Sequence, residues 1–163
     1  MPHNIRVAVI GEDEYVPRLV RAILDRQIIP AGNMFLSEQD KAAVEAAAGR
    51  GVQLCESSAA AVVNSEIVLV CASRREMGTE LAPISQCTRG RTLVTICDSG
   101  AVDIAFVKER VVFGTEIIAA TIHRGEDGGL YATYAIDDGV RLFLHQPCRD
   151  LVDAMCAMIN EEG

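Results

Sequence analysis

Short β-rich runs and helix-spaced apolar segments alternate along the first hundred residues of the chain, and this alternation leaves few folds open to it. Ile5-Arg6-Val7-Ala8-Val9-Ile10 stops at Gly11, after which Val16, Leu19, Val20, Ile23 and Leu24 recur at helical spacing. Pro17 stands in the first turn of that helix, where N–H groups have no intrahelical acceptor to lose. The order then repeats. Met34 to Ser37 reads as a strand, Gln39 to Ala48 as an alanine-rich helix closed by Gly49 and Gly51, and Val52 to Cys55 as another strand. Ser57 or Ser58 caps a short helix through Val63, and Glu66 to Ala72 is apolar enough for a strand buried on both faces. A helix near Glu76 to Gln86 leads to the strand Thr92 to Cys97. Elements in this order require right-handed crossovers, so the expected class is α/β with a doubly wound, mainly parallel sheet.

After Gly100 the pattern changes. A short helix to Lys108 precedes a predicted strand at Val111 to Phe113 and two β-rich stretches, Ile117 to Ile122 and Leu130 to Ile136. The glycine-rich segment Arg124 to Gly129 between them reads as a hairpin-like loop. Val140 to Leu144 is a further candidate strand, and Pro147 to Asn160 a final helix with Leu151, Val152, Met155, Cys156 and Ile159 on one side. No repeat or linker divides the chain, so residues 1–163 are expected to form one domain with a β-rich C-terminal extension and a final helix. A chain of this length buries about 70% of its unfolded surface and needs no staples.

Charge and composition exclude several classes of partner. A net charge of −8 opposes approach to phosphate backbones and anionic lipid, which argues against nucleic acid. The longest uninterrupted apolar run, Ile67 to Ala72, is far short of the roughly 20 residues of a membrane span, and no signal-peptide pattern opens the chain. Six cysteines without a C-x-x-C pair fit a reduced compartment, so a soluble, unprocessed, cytoplasmic protein is expected. With four Phe, three Tyr and no Trp, the core must consist mainly of Val, Ile, Leu and Ala.

In doubly wound folds ligands bind beyond the carboxyl ends of the strands, and the first strand-to-helix turn cradles phosphate. A dinucleotide site there wants G-x-G-x-x-G. Gly11 supplies the first glycine, but Glu12, Asp13, Glu14, Tyr15 and Val16 follow. Asp13 falls where a glycine lets the backbone approach a pyrophosphate. Acids at a helix N-terminus gain roughly 0.3–1 kcal/mol each from the helix dipole without any ligand. A pyrophosphate would meet negative charge already in place, and two unit charges 4 Å apart repel by roughly 4 kcal/mol at an effective dielectric of 20. A second reading of Glu12-Asp13 is a cation site. With Tyr15 to Leu19 it resembles the opening of response-regulator receiver domains, although Glu56 and Cys71 stand where that family's acceptor Asp is sought, and no Lys follows Thr92 to Cys97.

From Ile5 to about Gly100 the succession of motifs resembles the N-terminal domain of the pyrroline-5-carboxylate reductase family. The first strand and turn resemble I-G-x-G-x-M. Phe35-Leu36-Ser37 matches the strand ending at the adenosine ribose, and Gly51-Val52 the G-V before the third strand. Asn64 to Val70 resembles A-D-V-V-x-L-A-V, Thr79 to Pro83 a later helix, and Leu93 to Gly100 the strand L-V-I-S-I-A-A-G. The resemblance implies a Rossmann-like fold and, were a dinucleotide bound, contacts from Gly11, Ser37, Glu38 and Ala72. The departures fall at functional positions. Glu38-Gln39 replaces the basic group that receives the 2′-phosphate of NADP, which leaves NAD as the one cofactor the pattern admits. Ala72-Ser73-Arg74 replaces Lys-Pro-Gln at the nicotinamide pocket, and no M-P-N follows the predicted strand at Val111 to Phe113. The sequence ends at Gly163, where the family begins its helical dimerisation and substrate domain, so the family's reaction is not expected of this chain alone.

Other constellations are weaker. His3, His123 and His145 show no ligand spacing, so no metal site is expected. Cys97 or Ser99 at a strand end has no histidine at a telling distance, and Arg74-Arg75 is the one basic pair facing the expected cleft. The sequence therefore points to a Rossmann-like binding or regulatory module with no catalytic residues, no metal and no bound cofactor. A homodimer seam is expected on the final helix or the Ile117 to Ile136 strands, since apolar residues on more than one side of a helix seek cover. Two other readings stay open: an NAD-dependent oxidoreductase completed by a partner chain, and a receiver-like cation-dependent switch. No class of small-molecule ligand is indicated.

Overall fold

The computed structural model describes residues 2–162. Seven strands form one sheet: β1 (Val7–Ile10), β2 (Met34–Ser37), β3 (Gln53–Cys55), β4 (Ile67–Cys71), β5 (Thr92–Cys97), β6 (Glu116–Arg124) and β7 (Leu130–Ile136). Their order across the sheet is β3-β2-β1-β4-β5-β6-β7, with every neighbouring pair parallel except β6 and β7. The expected doubly wound α/β class is therefore observed. This order reverses direction between β1 and β4, as in dinucleotide-binding folds, whereas receiver domains place their third strand beside the first. Here β3 lies at the far edge beyond β2, which removes the receiver reading.

Helices α1 (Tyr15–Asp25), α2 (Lys41–Ala46) and α6 (His145–Glu162) cover one face; α3 (Ser58–Val63), α4 (Arg74–Leu81) and α5 (Ile104–Lys108) cover the other. Because side chains alternate along a strand, Val7, Val9, Ile67, Leu69 and Cys71 enter the first layer, while Ala8, Ile10, Val68, Val70 and Ala72 enter the second. All five residues of β4 are buried, as an unbroken apolar run in a parallel sheet demands, and so are all six of β5, its two threonines included. On α6, Met155 and Cys156 are buried against the sheet, so this part of the helix's apolar surface is covered by its own chain. The Asn160 side chain near the end of α6 bonds both Leu130 N–H and Leu130 C=O, and Tyr134 O–H donates to Asp153 at 2.6 Å.

Helix boundaries follow capping more closely than apolar spacing. The Ser57 hydroxyl accepts from Ala60 N, as expected for a cap. Ser73 does the same for Glu76 N, so α4 begins at Arg74, ahead of the expected Glu76, and gives way to a 3₁₀ turn at Ala82–Ile84, where Pro83 cannot continue an α-helix. Two predicted strands do not form. Val111 to Phe113 is a turn and loop: Val112 N–H donates to Ser85 C=O, Phe113 is 92% exposed, and the place beside β5 belongs to Glu116–Arg124. The sixth strand thus ends at Ile122-His123-Arg124, and the residues after Arg124, not those after Phe113, stand where an M-P-N would follow. Val140 to Leu144 is a turn leading into the 3₁₀ segment Leu142–Leu144, with Val140 and Leu144 buried as anchors.

Inside β5 the Thr95 hydroxyl is buried without a hydrogen-bond partner among the described residues. A hydroxyl in that state costs about 1–3 kcal/mol. Thr95→Val keeps the shape and removes the cost, so urea denaturation should show the variant more stable by about 1 kcal/mol.

Candidate functional site

The carboxyl ends of β1, β2, β4, β5 and β6 converge on the rim where a doubly wound sheet receives ligands. Gly11 leaves β1 with φ +128°, and a Cβ on it would stand 2.5 Å from the Cys71 carbonyl oxygen. Glycine is therefore required by the approach of the turn to the end of β4, whatever the turn binds.

Two carboxylates of the chain occupy the amides of this turn. Asp40 Oδ2 accepts from Gly11 N–H at 3.3 Å in a buried contact, and Asp13 Oδ1 accepts from Tyr15 N–H at 2.9 Å. Asp40 reaches Gly11 because the chain folds back after β2: Gln39 N–H donates to Ser37 Oγ, and Asp40 N–H to Ser37 C=O. This turn ends at the residue before α2, a position that favours Asp as a cap, yet no helix N–H takes the Asp40 side chain. Asp13 also lies over the thiol of Cys71, which burial and then the Asp13 and Asp98 charges hold well above its ordinary range. The space left between Gly11 to Asp13 and Gln39 to Ala42 is about 200 Å³.

Acids dominate the surroundings of this turn. Burial, followed by the charge of Glu12, raises the pKa of Asp40, while the Gly11 N–H opposes the rise. Glu80 on α4 is raised by burial and then by Asp40, Glu12 and Glu76. Burial, Asp98 and Glu14 likewise raise Tyr15, the first residue of α1, against the pull of Arg124 and Arg18. Each shift has the sign expected where negative charges crowd one another and water is scarce.

Across the rim lies a larger cleft of about 570 Å³, lined by Ser73, Arg74 and Arg75 from one side and by Ser99, Val102, Asp103 and Phe106 from the other. The Ser99 hydroxyl accepts from Arg74 N–H at 3.0 Å and ties the end of β5 to the start of α4.

The residues predicted for a dinucleotide do not share one cavity. Gly11 lines the small space beside Asp40; Ser37 is fully buried and closes its own turn; Glu38 is exposed, with its N–H on the Cys55 carbonyl; Ala72 is buried and pairs with Ile96. Cys97 Sγ lies 3.4 Å from Ser99 Oγ, and among the described residues no histidine is hydrogen-bonded to either one. His3 bonds Asp150, His123 bonds Thr133 and His145 bonds the Val140 carbonyl. Among the described residues no three His, Cys, Asp or Glu side chains gather to hold a metal ion. No helix there is long and apolar enough to cross a membrane. Sequence reading missed Asp40, which falls inside the span assigned to a helix from Gln39. The local signal was an Asp placed just before the alanine-rich run.

Comparison of the folded chain with solved structures gives one consistent answer. Pyrroline carboxylate reductase from Plasmodium falciparum, solved with NADP bound, superposes with a TM-score of 0.74 over 95% of this chain and 56% of its own, at 17% identity. The pyrroline-5-carboxylate reductase of Coxiella burnetii gives 0.74 over 94% and 57%, at 10% identity. An imine reductase from Myxococcus stipitatus in complex with NADP⁺ gives 0.64 over 92% and 52%, at 19% identity. The chain shares its fold with these reductases. It spans a little over half the length of the solved chains it matches. No family model matches the sequence, and a search of curated proteins finds no match either.

The raised pKa of Asp40 fixes the sign of a pH effect. The folded protein holds the Asp40 proton more tightly than the unfolded chain, whose value lies near 3.8. Protonation therefore favours folding in a window that opens at 3.8 and extends upward, and this contribution is lost as pH rises through the folded value. Asp40→Asn keeps an acceptor for Gly11 N–H and removes the charge. Thermal unfolding at neutral pH should show a higher Tm, by about 2–4 °C if the gain is roughly 1 kcal/mol. The gain should shrink as pH is lowered through that window.

Proposed function

We propose that this chain is a non-catalytic, Rossmann-like binding or regulatory module whose phosphate-binding turn is filled by its own carboxylates. The observation that carries the reading is the pair of contacts Asp40 to Gly11 N–H and Asp13 to Tyr15 N–H. Backbone amides at this turn are the groups a bound pyrophosphate would use. With both engaged by side-chain anions, a dinucleotide must displace two carboxylates and then bind beside Glu12 and Glu14. Repulsion of roughly 4 kcal/mol between charges at contact distance lowers affinity several hundred-fold. Glu38 after β2 adds a further charge against a 2′-phosphate. The rival reading, an NAD-dependent oxidoreductase completed by a second chain, draws support from the cofactors named for the reductases of similar fold. Calorimetric titration of the full chain with NAD, NADP and their reduced forms separates the two. No saturable heat is expected, and micromolar affinity for any of the four would overturn the proposal.

The same reading includes a homodimer, with β7 as the seam. Asp137 N–H bonds Ile117 C=O and Gly125 N–H bonds Gly129 C=O, so odd-numbered residues of β7 face β6 and the N–H and C=O groups of Ala132, Tyr134 and Ile136 point away from the sheet. Leu130 to Ile136 contains neither charge nor proline, the usual protections of an open edge. Antiparallel pairing of two copies about Thr133 sets Tyr131 opposite Ala135 and Ala132 opposite Tyr134, large against small on both faces. Ala132→Pro leaves the pairing with β6 intact, because the lost N–H points outward, and blocks a strand from adding there. Light scattering coupled to size exclusion should show a dimer for the parent chain and a folded monomer for the variant.

A further inference from the structure

The wide cleft across the rim from Asp40 carries a chemistry of its own. Arg74 and Arg75 both line it, and among the described residues neither side chain makes an ion pair or a hydrogen bond. Two other arginines of the α4–α5 region are engaged. Arg91 donates to the carbonyls of Val62, Val63, Ser65, Cys87 and Arg89. Arg110 lies 3.5 Å over the Phe106 ring, donates to Phe106 C=O and passes beside Gly78, in a second groove of about 530 Å³ that Arg74 and Arg75 also line. The stem of Arg74 rests on Gly100, where a Cβ would come 3.1 Å from Arg74 Cδ, so the loop after β5 is shaped around it.

Hydroxyl chemistry at the cleft has the same polarity. Ser99 Oγ accepts from Arg74 N–H and Ser73 Oγ from Glu76 N–H, which leaves both hydroxyl hydrogens to be donated; Cys97 Sγ, a weak acceptor, is 3.4 Å from Ser99 Oγ. The wall next to Arg74 and Arg75 therefore presents donors, and the floor of Ala101, Val102 and Phe106 is apolar. Asp103 is the one acid lining the cleft; it makes no cap hydrogen bond and no ion pair with either arginine. A cavity of about 300–1,000 Å³ with apolar walls and a few convergent polar groups is the usual form of a small-molecule site. In a chain of net charge −8, two unpaired arginines on such a cavity select a negatively charged group. Asp103 disfavours a second anion at the other end.

We infer that the cleft between the start of α4 and the β5–α5 loop binds a small oxyanion, a carboxylate or phosphate monoester carried on an apolar body, through Arg74 and Arg75. The inference rests on reading the domain as a binding module and assigns the class of ligand that such a module would take.

The test is a ¹H–¹⁵N NMR titration of the full chain with benzoate, phenyl phosphate and inorganic phosphate, in parallel with the variants Arg74→Gln/Arg75→Gln and Arg50→Gln. The Arg50 control removes an arginine paired with Asp25 away from the cleft. Saturable shifts confined to Ser73 to Gly78 and Ser99 to Phe106 are expected with benzoate or phenyl phosphate, and the better of the two identifies the anion. The double variant should weaken binding at least tenfold, about 1.4 kcal/mol, and Arg50→Gln should leave it unchanged. Absence of saturable shifts at millimolar ligand, binding that survives in the double variant, or inorganic phosphate binding as well as phenyl phosphate would each overturn the site. Should the double variant lose its fold by circular dichroism, the two single variants carry the same comparison. Failure here leaves the dinucleotide result standing, since different ligands report on the two claims.

Discussion

The tight approach of the first turn to the end of β4 is the constraint on which the rest of the rim depends. Gly11 passes so near the Cys71 carbonyl that no side chain fits, and this contact fixes where the turn's amides point. Once their direction is set, a buried acceptor must reach Gly11 N–H, because an unpaired amide in that position costs about as much as a lost hydrogen bond. Asp40 supplies it from the turn after β2. Three strand ends that are remote in sequence are thereby tied together, and a space of about 200 Å³ remains beside the turn.

That arrangement has an electrostatic cost and a geometric benefit. A carboxylate with little water around it prefers its proton, and the charge of Glu12 pushes in the same direction. The amide of Gly11 opposes the shift but does not abolish it. In return the turn is held without a ligand, and α1 starts from a fixed point with Asp13 bonded to Tyr15 N–H. Asp13 and Asp40 thus engage two amides of the turn from within the chain.

On the opposite side of the rim the physics is reversed. Two arginines without an ion pair stand over an apolar floor, and the serine hydroxyls that position the loop each accept a backbone N–H. A molecule with an excess of acids sets two unpaired arginines on this cleft, while the turn that the fold ordinarily gives to phosphate is acidic. The two halves of the rim therefore have opposite preferences for charge, and the fold shared with the reductases does not by itself decide which ligand the chain takes.

The sequence by itself determined the class of fold. Alternating runs from Ile5 to Cys97 fixed a parallel sheet, because continuous apolar strands such as Ile67 to Cys71 can only be buried between two layers of helices. The Ser57 cap and the hairpin loop at Arg124 to Gly129 were legible for the same local reason: their chemistry is completed within a few residues. What failed were short apolar runs. Val111 to Phe113 and Val140 to Leu144 have strand composition, but composition supplies no partner: the place beside β5 belongs to β6, and Val140 to Leu144 turns into a 3₁₀ segment ahead of α6. The acidic turn was visible as a departure from a glycine-rich loop, yet the residue that fills it was not. Asp40 lies 29 positions from Gly11, and only the folding of β2 beside β1 brings its carboxylate onto that amide. The arginine cleft has the same origin, since the end of β5 meets the start of α4 only because β4 and β5 are neighbours in the sheet. Contacts within one element can be read along the chain, whereas those that make a site here join strand ends whose proximity is a property of sheet order.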